Sequence, residues 1–97
     1  MDTKPTYVIM AFGIGENSEF FPLTCAVASS PMAAISYFDY LVNKFKGDKS
    51  LVDCMSKYIR NSDMVTRDMQ LYTEMDGITA LININIAKAV TADGYPF

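Results

Sequence analysis

A chain of 97 residues that is 51% hydrophobic and 20% charged suits one globular domain and is too apolar for a disordered segment. It contains no histidine, which removes the usual general base near neutral pH, the commonest zinc ligand and every Ser–His or Cys–His nucleophile pair. No apolar run approaches the roughly 18–20 residues that span a bilayer, and the opening Met-Asp-Thr-Lys-Pro lacks a basic stretch leading into an apolar one, so a cytoplasmic protein without a membrane partner is expected.

The first strand is predicted over Thr6 to Ile14, where Tyr7, Val8, Ile9 and Phe12 supply β-branched and aromatic side chains between Pro5 and the turn-like Gly15-Glu16-Asn17-Ser18. A second strand follows from Glu19 to Ala28, with Phe21, Leu23, Cys25 and Val27 on one side and Phe20, Pro22, Thr24 and Ala26 on the other. Pro22 cannot donate to a ladder, which places this strand at an edge, or Pro22 at its first residues or in a bulge. The two strands form a predicted hairpin.

Ser30 to Gly47 carries the signals of an amphipathic helix at both ends. Ser30 is a candidate N-cap, Pro31 fits the first helical position, and Gly47 can take a left-handed conformation that ends the helix. Ala34, Ile35, Phe38, Leu41, Val42 and Phe45 recur at spacings of three and four, with Ser36, Asp39, Asn43 and Lys46 opposite. A second helix is expected at about Ser50 to Asn61, since Leu51, Val52, Met55, Tyr58 and Ile59 follow the helical spacing, although the run is short enough to be drawn as a strand.

Residues 68–75 alternate, with Met69, Leu71, Thr73 and Met75 opposite Asp68, Gln70, Tyr72 and Glu74. Asp76-Gly77 is a strong hairpin signal, because a two-residue primed turn needs positive φ at both positions. The partner strand runs from Ile78 to about Ala87 and places Ile78, Ala80, Ile82, Ile84 and Ile86 on one face. The reading is therefore an α+β domain over residues 1–97, a four-stranded antiparallel sheet in the order strand, strand, helix, helix, strand, strand, with the helices on one face and the first and last strands central.

Net charge is -3, and it is unevenly spread. Residues 44–67 hold Lys44, Lys46, Lys49, Lys57, Arg60 and Arg67 against Asp48, Asp53 and Asp63, whereas both flanking segments are acidic. A polyanion would be opposed by those flanks, and no aromatic-rich β motif of the RNA-binding kind is present, so direct nucleic-acid binding is not expected. The carboxylate pairs Glu16 with Glu19 and Glu74 with Asp76 fall on hairpin ends, where burial that would tune an acid and a base is least. Gly13-Ile14-Gly15 lacks the third glycine and the following helix of a dinucleotide loop. Cys25 and Cys54 have no metal-like spacing and read as small buried hydrophobes. No catalysis, cofactor or metal is expected.

Thr6-Tyr7-Val8-Ile9, then Leu23-Thr24-Cys25-Ala26-Val27-Ala28-Ser29 leading into a helix with Ala33 and Ala34, and Gly94-Tyr95-Pro96-Phe97 together resemble small phage-encoded anti-CRISPR proteins, nearest to those that act on type I systems. The resemblance implies a short, acidic, non-enzymatic α+β protein of phage or mobile-element origin that inhibits by occupying a surface of a CRISPR-Cas interference complex in the bacterial cytoplasm. An assembly subunit or symmetric homodimer, built by pairing an exposed strand edge or the helix that bears Tyr37 and Tyr40, is the competing expectation. On the residues themselves, the expected contact set is Glu16, Glu19, Glu74 and Asp76 at the two hairpin ends, with Tyr72 as the apolar anchor. The basic segment 44–67 is the alternative surface.

Overall fold

The structure, a computed structural model, describes residues 6–89; the Gly94–Phe97 stretch lies outside them. Two elements follow the expected boundaries closely, β1 (Tyr7–Ile14) and β2 (Phe20–Ala28). They pair antiparallel around the turn at Gly15–Glu19, where the Gly15 amide donates to the Glu19 carbonyl.

The helix α1 (Pro31–Lys46) starts and stops where its sequence signals lie. The Ser30 hydroxyl accepts from the Ala33 amide, Pro31 opens the first turn, and the Gly47 amide donates to the Asn43 carbonyl. Gly47 has the expected positive φ, 62°, although its ψ of -132° differs from that of a left-handed helical residue. Ala34, Phe38, Leu41 and Val42 are buried, with Ile35 and Phe45 partly so.

The expected second helix is corrected. Only one turn forms, α2 (Leu51–Cys54), capped by the Ser50 hydroxyl, and the chain then extends as β3 (Met55–Arg60). Val52 and Ile59, which a continued helix would have buried, are exposed. As a strand, the segment pairs with β4 (Arg67–Met75), whose outer backbone groups would otherwise lack partners. Asn61-Ser62-Asp63 is thus a hairpin connection. In it Asp63 Oδ1 accepts from the amides of Val65 and Thr66 and from the Thr66 hydroxyl, while Met64 adopts positive φ.

The final strand β5 (Ile78–Lys88) is joined to β4 by the Asp76-Gly77 turn, with φ of 53° and 81°. These are the positive values that a primed two-residue turn requires. The result is one antiparallel sheet of five strands, one more than expected, in the order β2-β1-β5-β4-β3. Its first and last strands are interior, as read from the sequence.

One face of the sheet lies under α1, which packs on β5, β1, β4 and β2. Ile9, Leu71, Ile82 and Ile84 are essentially inaccessible there, against Phe38 and Leu41. The expected side assignment of β2 holds in neither direction throughout. A register shift opposite Ala11/Phe12 inserts Leu23, so Cys25 and Val27 share a face with Phe20 and Pro22, while Phe21 and Thr24 join the helix side. The Phe21 ring consequently covers Gly13, where a Cβ would collide with it, and the Thr24 and Tyr37 hydroxyls hydrogen-bond at 3.0 Å. No helix among the described residues is long and apolar enough to cross a membrane.

Candidate functional site

The face of the sheet opposite α1 is covered by no described element, and strand alternation dictates what it displays. Three rows run across the strands by pairing register. One is Cys25, Met10, Asn85, Asp68 and Ile59; the next is Pro22, Phe12, Asn83, Gln70 and Lys57; the third is Phe20, Ile14, Leu81 and Tyr72. The third row is apolar across four strands. Phe20 is 69% exposed and Tyr72 49%, and the Phe20 ring lies 5.7 Å from that of Phe12. Val27, Met10 and Ile59 add further exposed apolar surface. Isolated exposed apolar side chains are ordinary, but a contiguous set on one face marks a contact surface.

Polar groups near the middle of this face are held tightly. Asn83 is buried between its cross-strand neighbours and accepts from the Asn85 amide at 3.4 Å. Asp68 Oδ1 is buried with no hydrogen-bond partner among the described residues. An acceptor in that condition gains free energy when a donor is brought to it.

The five expected contact residues divide into two groups. Tyr72 and Glu74 lie on the uncovered face, Tyr72 closing the apolar row and Glu74 opposite Thr79 nearer the turn. Glu16, Glu19 and Asp76 line a cavity of about 410 Å³ at the end of the sheet, together with Phe21, Ile78 and Ala80. These last three point to the helix side, and all the lining belongs to the two hairpins. Both hairpins point the same way, an arrangement that the element order permits without dictating, so Glu16, Glu19 and Asp76 gather at one end.

The expectation for one of the two cysteines is corrected. Cys54 is buried and its thiol donates to the Leu51 carbonyl, but Cys25 is exposed on the uncovered face because the β2 bulge turns it outward. Tyr37 leans into the core through Thr24, and its ring stacks on the exposed Tyr40 at 5.8 Å. Both sheet edges carry features that discourage pairing with another chain: β2 has Pro22 and a bulge, and the six-residue β3 has Lys57, Arg60 and its own register shift after Met55. The expected edge-to-edge route to a homodimer is therefore the less favoured geometry. Among the described residues no cluster of potential metal-ligating side chains occurs.

Asp63 sits in the β3–β4 connection, where its neighbours alter its acidity. The Thr66 hydroxyl and amide hydrogen bonds, with lesser help from the Val65 amide and the charge of Lys88 at 3.6 Å, hold its carboxyl below the usual range against the opposing effect of desolvation. This is the signature of a loop-fixing group. No protein family matches the chain, and neither a curated protein nor a solved structure matches it.

Proposed function

We propose that the chain is a small non-enzymatic binding protein of phage or mobile-element origin that inhibits a type I CRISPR-Cas interference complex by covering one of its surfaces. The observation that supports a binding role is the uncovered sheet face, whose apolar row from Phe20 to Tyr72 ends beside Glu74 and the acidic hairpin end. The resemblance noted in the sequence supplies the class of partner. In this reading Tyr72 and Phe20 desolvate against the partner, while Glu74, Asp76, Glu16 and Glu19 at the rim steer encounter with the basic surfaces of a nucleic-acid-handling assembly.

The test is restoration of plaque formation by a targeted phage when the chain is expressed in a host with an active type I system, paired with retention of the interference complex on the tagged protein. Reversing Glu74 and Asp76 to Lys is expected to slow association and flatten its salt dependence, and Tyr72→Ala to speed dissociation. Failure to protect the phage together with failure to retain the complex rejects the inhibitor reading. A second copy of this chain is the competing occupant of the face, since the apolar row can pack on itself across a twofold axis; sedimentation at a dimer mass that Tyr72→Ala or Phe20→Ser reverts to 10.8 kDa would favour it.

A further inference from the structure

On the helix side of the sheet, opposite the uncovered face, two like charges stand directly across from one another. Arg60 of β3 pairs in register with Arg67 of β4, an arrangement that costs stability unless something offsets it. No carboxylate is in ion-pair contact with either: the single ion pair among the described residues joins Lys88 to Asp63. Arg67 is only 8% exposed, so an arginine charge that stays protonated at any accessible pH is held inside the fold without a counterion.

What holds Arg67 there is visible, and it is incomplete. Its Nε donates to the Val65 carbonyl at 3.1 Å, its Nη2 donates to the Met64 carbonyl at 2.8 Å, and its guanidinium carbon lies 5.5 Å from the centre of the Phe38 ring. A guanidinium has five N–H donors; two are occupied, and the rest include the end that binds an oxyanion through two parallel hydrogen bonds. Arg60 is fixed over the Tyr58 ring, its Nε donating to the Tyr58 hydroxyl at 3.3 Å, and its outer nitrogens are likewise unoccupied.

Arg60 and Arg67 both line a cavity of about 450 Å³ between α1, α2 and the β3–β4 hairpin, within the size range of small-molecule sites. Its remaining walls are largely apolar, from Val42, Leu51, Met55 and Met69, with Asp39 as the one acidic side chain. Asp39 lies on the exposed side of α1 and forms no ion pair with either arginine.

We propose that this cavity binds a small molecule with an apolar body and one oxyanion head, a carboxylate or a phosphate, the head held between Arg67 and Arg60 and the body lying against Met55, Leu51 and the Tyr58 ring. Two opposed guanidinium groups, neither ion-paired to the single lining carboxylate of Asp39, supply the charge, and the apolar walls exclude a fully hydrated inorganic ion as the best fit. The site is separate from the face assigned to protein binding, so neither reading depends on the other.

The experiment is an NMR titration of the full chain with benzoate, phenyl phosphate, inorganic phosphate and the neutral isostere benzamide, following the Arg60 and Arg67 Nε–Hε signals and the Tyr58 ring. Saturable shifts of these signals with benzoate or phenyl phosphate, absent with benzamide, are expected; whichever of the two binds tighter identifies the head group. Arg60→Gln should weaken binding by about tenfold or more, the loss of one charge-assisted contact, with a melting temperature no lower than that of wild type, since the like-charge pair is relieved. Because Arg67→Gln removes a packed side chain and can unfold the domain, Met55→Glu serves as the second variant: it sets a carboxylate in the wall and should abolish binding while the fold persists. The proposal is overturned if no probe gives saturable shifts up to its solubility limit, if benzamide or inorganic phosphate binds as well as the amphipathic anions, or if both variants bind like wild type.

Discussion

Truncating Ile84 to alanine removes three carbons from a side chain that is wholly inaccessible, in the central strand, with Ala11 and Met69 paired on either side and α1 above. At about 0.8 kcal/mol per buried carbon the transfer term is about 2.4 kcal/mol. Neither neighbouring strand can close in without breaking its ladder, so the cavity persists and raises the cost to roughly 3–4 kcal/mol, inside the range of about 2–5 for such truncations. For a domain of this size that corresponds to a fall in Tm of roughly 12–30 °C, out of a total stability of about 5–15 kcal/mol. Ile78 is the internal control: it shares the face by alternation but is 48% exposed at the hairpin end, so Ile78→Ala should cost under about 1 kcal/mol. Urea unfolding followed by circular dichroism measures both. Equal losses for the two variants, or an Ile84→Ala curve that overlays wild type, would refute the argument that burial beneath α1, rather than strand pattern alone, sets the cost.

Gly13→Ala should destabilise by about 1–2 kcal/mol, because the added methyl meets the Phe21 ring; in a Phe21→Leu background the same change should cost distinctly less, and an additive double-mutant cycle would contradict the contact. Gly77→Ala forces a side chain onto a φ of 81° and should cost about 1–2 kcal/mol, read from the same unfolding curves, with no change in affinity for any occupant of the arginine-lined cavity. The Asp63 carboxyl is depressed by its loop hydrogen bonds, so its contribution to stability is present above the unfolded value of about 3.9 and is lost as pH falls through the lower folded value. Asp63→Asn should therefore flatten the acid limb of a plot of Tm against pH, and an unchanged limb would show that the loop does not carry it. Met10→Asp and Val27→Lys, both on the uncovered face, should leave the melting temperature near wild type while weakening binding to any partner of that face; a large loss of stability would mean that the face is already covered in the isolated chain.

Much of the architecture was legible because its signals are local. Ser30, Pro31 and Gly47 mark α1, Asp76-Gly77 marks the last turn, and the isoleucine alternation of β5 fixes its buried face. What escaped was set by partners distant in the chain. Met55 to Arg60 satisfies a helical spacing as well as a strand, and only the unpaired outer side of β4 decides between them. The faces of β2 could not be assigned because one inserted residue, Leu23, changes the phase midway. The gathering of Glu16, Glu19 and Asp76 depended on both hairpins pointing the same way, which the element order left open, and Arg67 read as part of a solvated basic run. Its burial was invisible without the cross-strand position of Arg60, and the alternation of Arg67 with Met69 and Leu71 was the one sequence signal that pointed inward.

The pairing of β1 with β5 sets Tyr7 against Lys88 and continues outward, the Ala89 amide donating to the Thr6 carbonyl at 2.8 Å. The seam at the centre of the sheet therefore joins the two most distant strands of the sequence, while the flanking pairs are hairpins. A nascent chain can build those hairpins early but can zip the seam only after almost the whole sequence has been made, and the closure entropy of that long loop should govern the folding rate. The same adjacency makes the fold a natural subject for circular permutation. A short linker from β5 to β1, with new ends opened at Asp76-Gly77, would turn the slowest contact into the most local one, and the permutant should refold faster than the parent.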